Sequence, residues 1–219
     1  TNLHVHLSTQ ACTINKEAVQ FWKNEGIERI VLARETSKED IEDIINNVDI
    51  EIECFVHGAM CSSYSRRCVL SNYFTNRDAN RGGCSQICRW DFNLLDENKN
   101  HLQGDKEFTF CTKDLSMLKY LDKMIEMNIK SLKIEGRMRS LYYVATVVDT
   151  YRRAIDDYYN NPNTYEYNIE YEKILANCAN RDSTPQFFNG IYDNTCSYYN
   201  GRCEISNQDF LGIVLDYKD

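Results

Sequence analysis

Short apolar segments alternate with amphipathic segments along the first 160 residues, and this alternation limits the folds that the chain can adopt. Strand-like segments cover residues 3–8, 27–34 and 50–56, and a helical pattern follows each of the first two. Strands that are each followed by a helix form parallel sheets with crossover connections. The pattern therefore predicts an α/β fold.

The predicted helices have recognisable starts. Three polar residues of the type that caps a first helical turn precede amphipathic segments: Asn15, Ser37 and Ser140. Further strands are expected at residues 108–110 and 131–134, with an amphipathic helix over residues 115–125 between them.

Four or five such strands make about half of an eight-stranded β/α barrel. Because the chain also begins without Met, we expect the C-terminal half of a (β/α)8 TIM-like barrel whose N-terminal strands lie outside this sequence. Residues 1–160 would form the partial barrel, interrupted by a cysteine-rich insert at residues 58–107. Residues 161–208 are expected to be a loop-rich linker, and residues 209–219 the start of a truncated C-terminal β domain.

The overall charge and hydropathy narrow the function classes. A formal net charge of -8 argues against binding polyanions through bulk positive charge, although local basic patches remain possible. No apolar run approaches the roughly 18 residues that span a bilayer, and no leader pattern opens the chain. We expect a cytoplasmic protein without a membrane partner, in which thiols stay reduced.

Four of the ten cysteines crowd one short stretch, with the spacing Cys61-x6-Cys68-x15-Cys84-x3-Cys88. Thiolates suit iron–sulfur clusters and zinc. Structural zinc sites more often use two tight cysteine pairs, and here only Cys84 and Cys88 are close in sequence. The spacing favours a 4Fe–4S cluster over zinc, and leaves scattered thiols or disulfides as alternatives.

The same stretch is locally basic. Five arginines and one acid between Cys61 and Trp90 give a local formal charge of +4. These arginines could balance a negatively charged cluster, contact an anionic substrate such as RNA phosphate, or be solvated loop charges. Arg81 and Arg89 are the candidates for substrate binding.

Several uncommon motifs run through the chain. They are Glu53-Cys54-Phe55-Val56-His57-Gly58-Ala59-Met60-Cys61, Cys68-Val69-Leu70-Ser71-Asn72-Tyr73, Arg77 to Trp90, Thr112-Lys113-Asp114-Leu115 and Lys133-Ile134-Glu135-Gly136-Arg137-Met138-Arg139-Ser140. Together they resemble the collagenase-like peptidase family, family thirty-two of the peptidases of unassigned type. The segment 209–214 is similar to the start of that family's small C-terminal β domain.

The resemblance implies a β/α barrel with a 4Fe–4S cluster held by Cys61, Cys68, Cys84 and Cys88. It implies RNA hydroxylation, in the branch that makes 5-hydroxyuridine at the tRNA wobble position with prephenate as oxygen donor. Two positions depart from the family, which usually has Gly where this chain has Arg66 and Asn76. If the first site needs a positive φ, Arg66 strains the loop.

In a barrel, residues at the carboxyl ends of strands face the active site. This rule selects His57, Glu135 and Arg137 as catalytic candidates. It also selects Arg34 and Glu35 as substrate-binding candidates. Each has a structural alternative: His57 could bond a backbone carbonyl, and the charged residues could form ion pairs at the strand ends.

Two other function classes compete with RNA hydroxylation. A peptidase would need a nucleophile such as Ser71 beside His57, but the chain has neither a nucleophile-elbow sequence nor His-Glu-x-x-His. The other class is a non-enzymatic RNA-binding module with a structural metal site. For the enzyme, we expect tRNA as a partner and a requirement for the missing barrel half or a partner chain.

Overall fold

The computed structural model describes residues 3–102, 107–178, 181–190 and 192–198, together with residues 212 and 216. Six strands in these ranges form one sheet: β1 (His6–Leu7), β2 (Arg29–Val31), β3 (Glu51–Gly58), β4 (Asp114–Ser116), β5 (Ser131–Glu135) and β6 (Ser183–Thr184). The α-helices are α1 (Lys16–Asn24), α2 (Lys38–Asn47), α3 (Leu70–Thr75), α4 (Leu121–Glu126), α5 (Leu141–Asn160) and α6 (Glu170–Ala176).

The three predicted helix starts are confirmed by their hydrogen bonds. The Asn15 side chain accepts a bond from the amide of Ala18 at 2.9 Å, which satisfies a free N–H of α1. Ser37 and Ser140 do the same for α2 and α5. The strands beginning near residues 29, 51 and 131 also lie inside the predicted segments or close to them.

β3 is the central strand. It pairs in parallel with β2 and β5, for example Ile30 with Ile52 and Cys54 with Leu132. β1 extends the parallel arrangement beyond β2. β4 pairs with the end of β3 in the antiparallel sense, and β6 runs parallel to β4. The fully parallel sheet expected from the sequence is therefore wrong at β4, because the insert returns the chain beside the end of β3 that it left.

The α/β class is confirmed, but the described ranges contain an open sheet and no barrel. β1 and β6 end the path of paired strands, and no described strand joins them. The side chains buried between sheet and helices form the core, which includes Val19, Ile30, Ile44, Ile52, Val56, Leu121, Met124 and Val147.

The segment around β4 differs from the sequence prediction. Phe108 forms only an isolated bridge with Phe92, and the strand comes six residues later, at Asp114–Ser116. The helix expected over residues 115–125 begins only at Leu121. Leu115 and Leu118 are three residues apart, a spacing that is typical of a helix. The helix prediction was wrong here because Leu115 is buried in a strand and Leu118 in a 3-10 turn.

The region expected to be a linker contributes to the sheet. α6 packs against α5, and β6 pairs with β4. Phe188, beyond β6, belongs to the same core as α2 and α4. The boundaries of the domains stay predictions, and the C-terminal strand expected within residues 209–219 lies outside the described residues apart from 212 and 216.

Candidate functional site

A cavity of about 320 Å³ lies where β3 and β5 end and the cysteine-rich insert begins. Carboxyl ends of parallel strands are the common position for ligand sites in open α/β sheets. The titratable residues that line it are Cys61, Cys84, Cys88, Arg34, Arg89, Arg137, Arg139 and Glu135. We call this space the thiol cavity.

The backbones of β3 and β5 approach each other closely beside the thiol cavity. Gly58, the last residue of β3, has a φ of +110°. A Cβ atom at this position would stand 2.1 Å from the carbonyl oxygen of Glu135. Only glycine fits there, so β3 and β5 deliver the cysteine loop and Glu135 to one place.

The loop between the first two cysteines is held by polar contacts. The carboxylate of Glu35 accepts bonds from the Ser65 amide and hydroxyl, both at 3.0 Å. The side chain of Asn80 donates to the carbonyl of Cys68 at 2.9 Å and accepts from its amide at 3.3 Å. Glu35, predicted to bind substrate, therefore holds the cysteine loop in this structure.

Three residues of the cysteine-rich insert adopt left-handed backbone conformations. Arg66, Asn76 and Gln86 have φ values of 65°, 55° and 57°. Arg66 thus meets the condition stated for it in the sequence analysis, since the position does adopt a positive φ. A side chain with a Cβ is strained there, whereas Asn76 tolerates the same region more easily.

Burial and nearby charges act on the thiols in opposite directions. Burial raises the pKa of Cys61, and the positive charge of Arg34 opposes that rise. Burial also raises the pKa of Cys88, against a hydrogen bond from the side chain of Ser62. The charges of Cys88 and Cys68 raise the pKa of Cys61, and those of Cys111 and Cys84 raise the pKa of Cys88, so the four clustered thiols and Cys111 lie near one another.

Three of the four clustered cysteines, Cys61, Cys84 and Cys88, line the thiol cavity, whereas Cys68 does not. Among the residues that the structure describes, no group of three or more His, Cys, Asp or Glu side chains could hold a metal ion as placed. A 4Fe–4S cluster binds each thiolate to a different iron, so its ligands stand around a cavity. Four soft sulfur donors beside arginines suit such a cluster. The donor set fits it, and the ligand assignment stays a prediction.

Of the predicted substrate-binding arginines, Arg34 and Arg89 line the thiol cavity. Burial, followed by the charge of Arg181, lowers the pKa of Arg89. Arg81 does not line this cavity: its side chain is 87% exposed and faces Asp78 at 3.4 Å.

The three predicted catalytic residues divide between two cavities. Glu135 and Arg137 line the thiol cavity, where the Arg137 amide donates to the Glu135 carboxylate at 3.0 Å. His57 lines a second cavity of about 440 Å³. Burial, with a smaller contribution from Arg139, lowers the pKa of His57 to about 4, so its imidazole is neutral at pH 7.

The hydroxyl of Tyr151 organises the backbone around His57. It lies 3.4 Å from His57 Nδ1, donates to the Val56 carbonyl at 2.7 Å and accepts from the Met117 amide at 3.2 Å. These contacts tie the end of β3 to α5.

A buried ionic group that sequence reasoning missed connects the two cavities. Arg139 Nη2 donates to Asp114 Oδ2 at 2.6 Å, and Arg181 Nε donates to Asp114 Oδ1 at 2.9 Å. Arg139 lines the thiol cavity, whereas Asp114 and Arg181 line the second. Asp114 and Arg139 stand inside motifs that the sequence singled out, but no pattern marked Arg181.

The peptidase alternative lacks its catalytic pair. The Ser71 hydroxyl accepts a bond from the Ser85 amide at 2.9 Å, and the His57 ring faces Tyr151. Within the described ranges, no hydrogen bond joins Ser71 to His57. Nucleophilic catalysis requires the base to reach the nucleophile.

Fold and site together define an α/β protein that carries a four-cysteine loop at the carboxyl ends of its central strands. The chain matches the description "Peptidase family U32" over residues 1–196, and it belongs to that family. No solved structure matches it. Among the helices that the structure describes, none is both long and apolar enough to cross a membrane.

Three curated relatives carry names from RNA hydroxylation. "tRNA hydroxylation protein P1" of Bacillus subtilis is 49% identical over 223 residues, covering 100% of this chain and 53% of the relative. "tRNA hydroxylation protein P" of Escherichia coli is 32% identical, covering 95% and 56%. "23S rRNA 5-hydroxycytidine C2501 synthase" of Escherichia coli is 36% identical, covering 70% and 23%. The chain thus spans about half the length of the first two relatives.

Proposed function

We propose that this chain is part of an iron–sulfur enzyme that hydroxylates RNA, converting the tRNA wobble uridine to 5-hydroxyuridine with prephenate as oxygen donor. The observation that carries the proposal is the 49% identity, over the whole chain, to a protein named for tRNA hydroxylation. A further relative is named as a synthase of 5-hydroxycytidine, which is also a hydroxylated pyrimidine. Because the chain spans 53% of that relative, the proposal concerns the activity of the whole protein.

In this proposal Cys61, Cys68, Cys84 and Cys88 hold a 4Fe–4S cluster. When bound, the cluster supplies electron transfer or polarisation of the substrate. The neighbouring arginines stabilise the negative charge of four thiolates.

The arginines of the thiol cavity also bind and orient anionic groups. Arg139 is fixed for this by Asp114 behind it and by the ring of Tyr143, whose centroid lies 5.0 Å from the guanidinium carbon. The positive charge of a guanidinium held in this way attracts a carboxylate of prephenate or a phosphate of RNA. His57 is neutral at pH 7, so it serves as a hydrogen-bond partner rather than as a cation.

The test is mass spectrometry of tRNA nucleosides from cells that lack the full-length gene. Cells complemented with the wild-type gene should regain 5-hydroxyuridine, and cells with Cys84→Ala should not. Iron in the anaerobically purified protein should fall with Cys84→Ala. The matched control is Cys178→Ala, which removes a buried thiol that does not line the thiol cavity and should leave iron unchanged.

Three results would contradict the proposal. Unchanged iron in Cys84→Ala refutes the ligand assignment. Unchanged 5-hydroxyuridine in the deletion strain refutes the substrate. Zinc in place of iron in the wild-type protein favours a structural module.

A further inference from the structure

A row of aromatic side chains lies on the cysteine-rich insert and on the segment that directly follows it. Ring centroids are 5.0 Å apart for Tyr73 and Phe74, 5.6 Å for Phe74 and Phe92, 5.5 Å for Phe92 and Phe110, and 4.8 Å for Phe108 and Phe110. Tyr73 is 82% exposed, Phe74 47% and Phe110 41%. We call these five residues the aromatic row.

The aromatic row is fixed next to the cysteine loops by the inner face of α3. Ser71 is buried there, and its hydroxyl accepts a bond from the Ser85 amide at 2.9 Å. The hydroxyls of Thr75 and Ser85 lie 2.9 Å apart. Ser85 directly follows Cys84, so these bonds place the polar side of α3 against the cysteine loop. The aromatic side of α3 is exposed to solvent.

The first part of the cysteine-rich insert is cationic, whereas Asp91 and Glu107 stand next to Phe92 and Phe108 in the sequence. The insert carries four exposed arginines: Arg66, Arg67, Arg77 and Arg81. The sole acid in the segment from Cys61 to Trp90 is Asp78, which faces Arg81 at 3.4 Å. Rings combined with guanidinium groups are typical of surfaces that bind single-stranded RNA. An apolar protein segment would instead have to desolvate these charges without compensation.

We propose that the aromatic row stacks on unpaired bases of the RNA, while the exposed arginines contact its phosphates. The inference rests on the proposed RNA-hydroxylating function and adds the surface of the protein that recognises the unpaired loop, the aromatic row. Base faces are hidden in a duplex, so the aromatic row distinguishes loops from stems.

The test compares three variants of the full-length protein in binding to a short RNA hairpin with an unpaired loop and to a duplex of equal length. Tyr73→Leu keeps an apolar side chain but removes the ring. It should weaken binding to the hairpin about 5- to 150-fold, the range expected for one stacked base, and leave duplex binding unchanged. Tyr73→Phe keeps the ring and should bind the hairpin nearly as wild type does.

The matched control is Tyr159→Leu, since Tyr159 is 65% exposed at the far end of α5, outside the aromatic row. This variant should bind the hairpin like the wild type. A fluorescent base analogue in the loop reports stacking directly: its emission should be quenched by the wild type and by Tyr73→Phe, and not by Tyr73→Leu.

Two results would overturn the inference while leaving the proposed function intact. One is unchanged hairpin binding by Tyr73→Leu, as expected if the rest of the protein covers the aromatic row. The other is an equal loss for hairpin and duplex, which would mean that Tyr73 reads no base. Failure of the deletion strain to lose 5-hydroxyuridine would instead refute the proposed function, and the RNA partner with it.

Discussion

Acidification should destabilise this protein through His57. The side chain is only 7% exposed, and its ring packs against Tyr143 and Tyr151 with centroids 6.0 and 5.4 Å away. Burial first, and then the charge of Arg139, lowers its pKa from 6.5 to about 4. The unfolded chain therefore binds a proton at this position between pH 6.5 and pH 4, whereas the folded protein does not.

The magnitude follows from this difference in pKa. Stability rises with pH wherever the unfolded state binds more protons, at about 1.4 kcal/mol per pH unit for one proton. The contribution of neutral His57 is thus fully present above pH 6.5 and decreases as the pH falls toward 4. Between pH 7 and pH 5 we expect a loss of about 2 kcal/mol from this side chain alone.

Urea unfolding of the wild type and of His57→Gln at pH 7 and pH 5 measures this loss. Glutamine does not titrate, so the variant should lose about 2 kcal/mol less than the wild type over this interval. His101→Gln, the same change at an exposed position, is the matched control and should follow the wild type. Iron content is recorded at both pH values. An equal pH dependence for the wild type and His57→Gln would refute the reasoning.

Two backbone predictions concern the cysteine loops. Gly58→Ala should lose about 3 kcal/mol or more in urea unfolding, because its Cβ would meet the Glu135 carbonyl at a strained φ. Gly26→Ala, which has a similar φ but open space around its Cβ, should lose only about 1 kcal/mol, and equal losses would refute the clash. Arg66→Gly should gain about 0.5–1 kcal/mol by relieving left-handed strain, measured as a higher melting temperature. A lower melting temperature would show that the Arg66 side chain stabilises the loop.

Local signals predicted the first half of the fold well. The caps at Asn15, Ser37 and Ser140 depend on nearby residues only, so the sequence reveals them. Strand direction at β4 depends on where the long insert ends in space, and no local pattern encodes that. The apolar spacing around Leu115 fits either a helix or a strand followed by a 3-10 turn, which is why the prediction there was wrong.

The candidate site could be predicted where its reactive side chains lie close together in the sequence. The thiol cavity gathers three of the four clustered cysteines, Cys61, Cys84 and Cys88, beside Glu135, the residue that strand-end reasoning selected. Arg181 was not predictable, because the partner that explains its burial, Asp114, lies 67 residues away. Such a buried pair becomes visible only when the fold brings both residues together.

Contacts between residues far apart in sequence also explain how the loop from Cys61 to Cys68 keeps its conformation despite the strain at Arg66. Glu35 holds Ser65 on one side of the strained residue, and Asn80 holds Cys68 on the other. Outer contacts of this kind orient ligands before a metal binds, and so reduce the ordering that binding requires. The strained backbone of Arg66 therefore destabilises the loop only locally, because both ends of the loop are held by hydrogen bonds. This is why the loop can keep Cys61 at the thiol cavity while one of its residues stays in an unfavourable conformation.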